Sequence, residues 1–354
     1  MKIPGFTLLR SEVCAQADIG PRRRPRFERK VEVWADPEGA EFVLVPGATS
    51  VRLGWNAGFA PLDGSSRASV LDDLERAVDP LAGFTKWRAG VDEASEPETA
   101  AWLDEQIDDA RTSGPPVLSD EQRHLFSPEG YAQHVNSTMS PPRIVDIPTL
   151  LVERVAPVVG WAAMGEINPS TGESTLPPSE KDLLTGAARD LLTSDAACVQ
   201  IVGLGRYTRL TRQGWWVAER QIPTTHADLV RRFAPFRLPS EDEWEHLADP
   251  VGGALFRWGN AIPDQWYGYG ADPNPLDSPN GNGLVIGNNQ FVSEAISDPS
   301  IAKGGDGGCT MHDGVGTFDM LLPLATAYRN PVEPDCDLSG GYFCARRVME
   351  LPPG

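Results

Sequence analysis

The sequence predicts an α+β fold that is loop-rich, with short antiparallel strands and a few peripheral helices. Three observations predict it. Glycine and proline are abundant together, 35 and 32 among 354 residues, and ten tryptophans accompany them; this mixture suits short elements joined by irregular backbone rather than a helical bundle. Apolar and polar residues alternate only over short stretches, the pattern of half-buried strands. Helical spacing recurs in separate stretches, several of them opened by a capping residue.

Composition narrows the class. At 40% hydrophobic and 23% charged residues the chain is globular, and its length allows about two average domains or one large irregular one. No run of about 18 apolar residues occurs, so no membrane span is expected. The first twenty residues carry no basic stretch followed by an apolar core and a cleavage site, so a cytoplasmic protein is expected. Thirty-one Lys and Arg against 50 Asp and Glu leave a formal charge of −19. That sign opposes a phosphate backbone, whose binding depends on cationic side chains releasing counterions, so nucleic acid is not the expected ligand. A cationic protein partner fits better, although acidity by itself also serves solubility. Five cysteines, at 14, 198, 309, 336 and 344, form no Cys-x-x-Cys pair and are odd in number; reduced thiols are expected rather than a disulfide framework or a zinc site.

Along the chain, residues 1–40 hold Arg22, Arg23, Arg24, Arg26, Arg29 and Lys30, broken by Pro21 and Pro25, and read as a solvated arm. EFVLVPGATSVRLGW alternates about Pro46-Gly47 and predicts a hairpin, where the ordered core begins. Residues 61–150 contain 7 basic and 17 acidic residues, and the stretch of about 61–145 reads as an acidic insertion. Within it Val70, Leu71, Leu74 and Val78, then Trp102, Leu103 and Ile107, fall at helical spacing. Strand pattern returns over 147–164. A helix follows, with Ser179 and Asp182 at capping-box spacing ahead of Leu183, Leu184, Ala187, Leu191 and Leu192. In RLPSEDEWEHLAD, Ser240 is the N-cap, Glu243 closes the box, and Trp244 and Leu247 share one face. Beyond it come Gly-punctuated short segments and an alternating terminal strand, with 351–354 as a tail.

Seven of these segments, in this order, resemble the formylglycine-generating enzyme (sulfatase-modifying factor) family, whose domain is a variant of the C-type lectin fold. They are EFVLVPG at 41–47, TLLVERVAPVVGWA at 149–162, FRLPSEDEWEHLA at 236–248, FRWGN at 256–260, PNGNGLVIGN at 279–288, AKGGDGGC at 302–309 and GGYFCARRV at 340–348. The resemblance covers roughly 40–350 and leaves the insertion without a counterpart. Catalytic members carry a Lys-Gly-Gly-Ser segment leading to one cysteine, with a second five residues on, and the two thiolates clamp Cu(I), a soft ion that selects soft ligands. Here Lys303, Gly304, Gly305 and Cys309 match, Asp306 replaces the serine, and Gly314 stands where the second thiol belongs. One thiolate cannot make a two-coordinate sulfur clamp, and His312 and Asp313 would build a different site, so copper chemistry is not expected. The family's Gly-Asn-x-Trp-Glu-Trp segment keeps Gly287 and Asn288 but has Gln290, Phe291 and Val292 in the later places, which implies a rebuilt cleft. The iron-dependent sulfoxide synthases of this fold use His-x-x-x-His; His124 and His134 are ten apart and read as solvated side chains.

The resemblance further implies a structural calcium ion in the Asn-Gly-x-Gly-Leu loop, matched by Asn280, Gly281, Gly283 and Leu284. A tight turn with no ion is the other reading of the same glycines. For function, the lost thiol implies a non-catalytic binding protein, such as a toxin-neutralising immunity protein or a ligand-recognition protein. Its candidate contacts are Trp215, Trp216, Trp266, Tyr267 and Tyr269 as aromatic anchors, with Asp306, His312 and Asp313 in the Gly-rich loop. The alternative is an oxidoreductase that uses Cys309 as the catalytic residue with a second ligand from elsewhere, such as Cys336.

Overall fold

Residues 41–53 and 143–153 run antiparallel along one bent ribbon, and the regular elements between them are all helices. The computed structural model describes residues 3–15, 27–196, 198–201, 204–210, 212–263, 275–308 and 316–352. β1 (Thr7–Ala15) and β2 (Glu28–Ala35) pair antiparallel, and β2 pairs with β3 (Glu41–Val45), while β4 (Ala48–Leu53) leaves that sheet. Five helices follow: α1 (Gly64–Val78), α2 (Pro80–Gly90), α3 (Pro97–Ser113), α4 (Asp120–Leu125) and α5 (Pro128–Ser137). The chain returns as β5 (Arg143–Ile147) beside β4 and β6 (Leu150–Glu153) beside β3.

Next come β7 (Trp161–Asn168), β8 (Glu173–Ser174), α6 (Asp182–Thr193), β9 (Cys198–Ile201), β10 (Gly205–Arg209) and β11 (Trp216–Gln221), a second sheet in the order β8-β7-β11-β10-β9. Two helices, α7 (His226–Phe233) and α8 (Glu241–Ala248), precede the last strands. These are β12 (Ser293–Ala295) and β13 (Ile301–Lys303), then, after α9 (Thr317–Leu321), β14 (Asn330–Pro331), β15 (Phe343–Ala345) and β16 (Val348–Glu350). β14-β13-β12-β15 form a third sheet, in which β12 and β15 run parallel, and β16 closes the first sheet against β6. The class is α+β with short, mainly antiparallel sheets and several helices. Among the described residues no helix is long and apolar enough to cross a membrane.

Several expectations are corrected. Pro46-Gly47 does not close a hairpin: β3 and β4 lie in different sheets, because Gly47 turns against Ile147–Thr149 and donates its N–H to Thr149 Oγ1 at 3.0 Å. Residues 28–35 are not a solvated arm; Val31, Val33 and Trp34 are buried where β2 meets β3. Arg22, Arg23, Arg24 and Arg26 lie outside the described residues. The Ser179–Asp182 capping box does not form. α6 starts at Asp182 behind Lys181, without a side-chain cap, and the Asp182 carboxylate accepts from Arg220 at 2.8 and 3.0 Å instead. The insertion holds five helices, not two. α4 was legible from its own capping box, Ser119 with Gln122.

The insertion is built into the body. Val70 and Leu74 of α1 and Tyr131 and Val135 of α5 share one core with Leu255, Phe256, Trp258, Phe318, Leu321 and Leu324. Tyr131 Oη donates to the Asp319 carboxylate across the same boundary.

Candidate functional site

The segment that carries the resemblance to a catalytic loop rests on α8. The helix forms as its capping signal predicts: Ser240 Oγ accepts from Glu243 N at 3.2 Å and the Glu243 carboxylate accepts from Ser240 N at 2.8 Å. Acidic residues fill its first turn, and β13 brings Lys303 beneath them. Lys303 is 0% exposed, and its Nζ donates to Glu245 at 2.9 Å and Glu241 at 3.4 Å, 5.7 Å from the Trp244 ring. Arg329 donates twice to Glu241, at 2.8 and 2.6 Å. Glu245 also accepts from Ser140 Oγ and Gly54 N, with Arg143 Nη2 at 3.3 Å. Burial works to raise the Glu241 carboxyl, but Arg329, Lys303 and Arg143 hold it below its ordinary range.

After Lys303 the chain must pass very close to its neighbours. Gly304 has φ +77°, and a Cβ there would sit 2.7 Å from the Trp244 ring. Gly305 O accepts from Ser293 Oγ at 2.6 Å, and Asn330 Nδ2 donates to that same hydroxyl. Asp306, expected as a binding residue, is corrected to a turn lock: it is buried, and its Oδ1 accepts from Gly308 N at 2.8 Å. Cys309, His312 and Asp313 lie outside the described residues, as do Trp266, Tyr267 and Tyr269.

A cavity of about 160 Å³ opens beside this segment, lined in part by Val155, Val285, Val292, Glu294, Cys344 and Arg346. Arg346 is fully buried and donates to both Glu294 oxygens and to the carbonyls of Glu153 and Val285. Burial, then the Glu294 charge, pushes the Cys344 thiol up, which makes it a poor ligand or nucleophile. Cys336, the second ligand an enzymatic reading needs, is raised by burial and by Glu333 and Asp337. Cys14 is pushed up to about 11, by burial and Glu12. In all three the metal-free surroundings disfavour the thiolate.

The aromatic expectations divide. Trp216 is 3% exposed and packs in the core beneath α6, so it is no anchor, and Trp215 is half-buried with the Arg212 guanidinium 3.6 Å from its ring centroid. Among the described residues the exposed aromatic side chains lie elsewhere, Tyr342 in the C-terminal segment and two tryptophans in the insertion. Trp87 on α2 and Trp102 on α3 are 43% and 44% exposed and meet edge to face at 5.5 Å, with Phe84 against Trp102 at 5.9 Å. Arg76 lies over Phe84 and Trp87 and pairs with Asp73. An open groove of about 980 Å³ runs beside them, between α1, α2 and residues 316–320, lined among others by Asp72, Asp73, Lys86, Trp87 and Glu96. Residues 64–113 carry 5 basic and 12 acidic residues, a local charge of −7. Sequence reading placed Trp102 in a helix but assigned it no role. The signal was the row Glu98, Trp102, Glu105, Asp109, which shares one helix face.

His124 and His134 are exposed and lie on separate helices, α4 and α5. His246 on α8 was overlooked. It is 5% exposed, and neither ring nitrogen has a hydrogen-bond partner among the described residues. Burial, aided by the positive charge of Arg29, pushes its pKa below the ordinary 6.5. The unfolded chain therefore takes up a proton near pH 6.5 that the fold resists. Stability is full above that value and falls as pH drops from it toward the depressed folded value. We expect the urea midpoint to fall between about pH 7.5 and about pH 5.5, and His246→Gln to flatten that loss; an unchanged slope in the variant would remove His246 as the cause.

The loop offered for calcium has its donors turned inward. Asn280 Oδ1 accepts the N–H groups of Asn282 and Leu284 at 3.0 and 3.1 Å, which occupies both lone pairs. Gly283, at φ +80°, makes the turn. Gly281 packs beneath the Phe27 ring. These residues do not fit a calcium site built on the Asn280 oxygen. In comparisons with known proteins, no protein-family model matches this chain and no curated protein matches it.

Proposed function

We propose that the chain is a non-catalytic protein-binding module on a scaffold of the formylglycine-generating type, acting as an immunity-type or ligand-recognition protein in the cytoplasm. Its acidic helical insertion is the face that meets a cationic protein partner. The observation that carries this is the row on α3. Trp102 is exposed between Glu98 and Glu105, with Asp109 one turn on, all three carboxylates are exposed, and none has an ion-pair partner among the described residues. By contrast Lys86 and Arg88 on α2 are already paired with Asp72, Glu75, Asp104 and Glu93. An aromatic face bordered by unpaired carboxylates favours a Lys or Arg side chain through its ring quadrupole and its charge together. The described cysteines are all free thiols, which supports a reducing compartment.

The test is capture of a basic partner among the products of adjacent genes, followed by titration against wild type and Trp102→Ala. We expect at least about tenfold weaker binding for Trp102→Ala, and wild-type affinity that falls between about 0.05 and about 0.5 M salt. A variant that binds as wild type does, or affinity indifferent to salt, would refute this face. Copper-dependent oxygen consumption on a thiol peptide that is lost in Cys309→Ser would refute the non-catalytic reading itself.

A further inference from the structure

The Asn280–Leu284 loop closes over the C-terminal end of α8, where helix carbonyls lack intrahelical donors and the helix dipole is negative. Asn280 Nδ2 donates to Leu247 O at 2.7 Å and Ala248 O at 3.2 Å, and Asn282 Nδ2 approaches Leu247 O at 3.4 Å. With Asn280 Oδ1 held by two backbone N–H groups, Asn282 Oδ1 is the side-chain oxygen left to face a cation. It accepts from Arg29 Nη1 at 2.8 Å.

Arg29 comes from β2, paired with Cys14 of β1, and is half-buried. Its guanidinium lies 5.2 Å from the centroid of the Phe27 ring. That ring packs so closely on Gly281 that a Cβ there would come within 2.1 Å of it. Phe27, just before β2, and Arg29 within it thus clamp one loop, Phe27 by shape and Arg29 by charge. Asn282 takes the Arg29 N–H on its Oδ1 and reaches Leu247 O with its Nδ2, so one carboxamide separates the guanidinium from the last turn of α8.

We propose that Arg29 is the resident cation of this loop, carried covalently by the β1–β2 hairpin, in the role that a bound divalent ion would otherwise have. A guanidinium satisfies one carboxamide oxygen beside the negative helix end, whereas Ca²⁺ asks for six to eight oxygens, and the Asn280 side-chain oxygen is already engaged by two backbone N–H groups. The order of the loop then depends on docking of the hairpin and not on metal concentration.

The experiment is thermal unfolding of the full chain in about 5 mM CaCl2, above the weakest ordinary calcium sites, and in excess EGTA. It is run for wild type, Arg29→Gln and Arg29→Lys. We expect the wild-type midpoint to be the same in both conditions, Arg29→Gln to melt at least about 4 °C lower, and Arg29→Lys, which keeps the charge, to recover part of that loss. A wild-type midpoint that rises with calcium and falls with EGTA would overturn the proposal. So would Arg29→Gln melting with wild type, or Arg29→Lys melting no higher than Arg29→Gln. Should Arg29→Gln fail to fold, a folded, calcium-indifferent Arg29→Lys upholds the proposal and a calcium-responsive one overturns it.

Discussion

Lys303→Met is expected to cost about 3–5 kcal/mol of folding stability, as removal of one partner of a buried pair does. Met nearly preserves the volume of the lysine stem against Trp244, so packing changes little and the effect isolates the charge. Glu245, whose side chain is 2% exposed, loses a 2.9 Å donor and keeps Ser140, Gly54 N and the more distant Arg143. Glu241 keeps its bidentate Arg329. The loss therefore falls on Glu245, which water cannot reach. Lys303→Met with Glu245→Gln should recover part of it, because a neutral amide tolerates the missing charge. Urea unfolding monitored by circular dichroism reads both variants. A Lys303→Met protein within about 1 kcal/mol of wild type would mean that the pair contributes little, as would a double variant no better than the single one.

This pair also shows how far the sequence could be read. The helix over 241–248 was legible because its signals are local: Ser240 and Glu243 bond to each other three residues apart. Lys303 was legible as a position but not as a buried cation, since its partners are 58 and 62 residues away. The Pro46-Gly47 turn carried a true hairpin composition, and Thr149, about a hundred residues on, overrode it. Residues 28–35 read as a solvated arm because Arg29, Lys30, Glu28 and Glu32 dominate the eye, while the alternation of Val31 and Val33, which enter the core, went unweighed. Trp215 and Trp216 differ in burial because Trp215 still belongs to the turn that starts at Arg212, whereas Trp216 opens β11 and enters the core beneath α6. The exposed Trp102 needed a helix register before its row of carboxylates became visible.

Trp258→Ala is expected to lower stability by about 3–5 kcal/mol, the range for emptying a large aromatic site in a core, and to weaken the insertion and the body together. The indole is 1% exposed and stacks on Phe256 at 4.6 Å with planes 2° apart, and its Nε1 donates to Ala261 O. The same cluster takes Val70 and Leu74 from α1 and Tyr131 and Val135 from α5. α1 in turn supports α2, since Arg76 packs on Phe84 and Trp87, and Lys86 of α2 reaches back to Asp72 and Glu75 of α1. A cavity at Trp258 should therefore loosen the base on which the Trp102 face is held, although Trp258 lies outside that face. In wild type, tryptophan fluorescence and far-ultraviolet circular dichroism should give one coincident unfolding transition. Trp258→Ala should move both signals by the same amount. If the helical signal instead survived to a later transition unmoved by the substitution, the insertion would fold on its own, and its aromatic face would be carried on an independent unit.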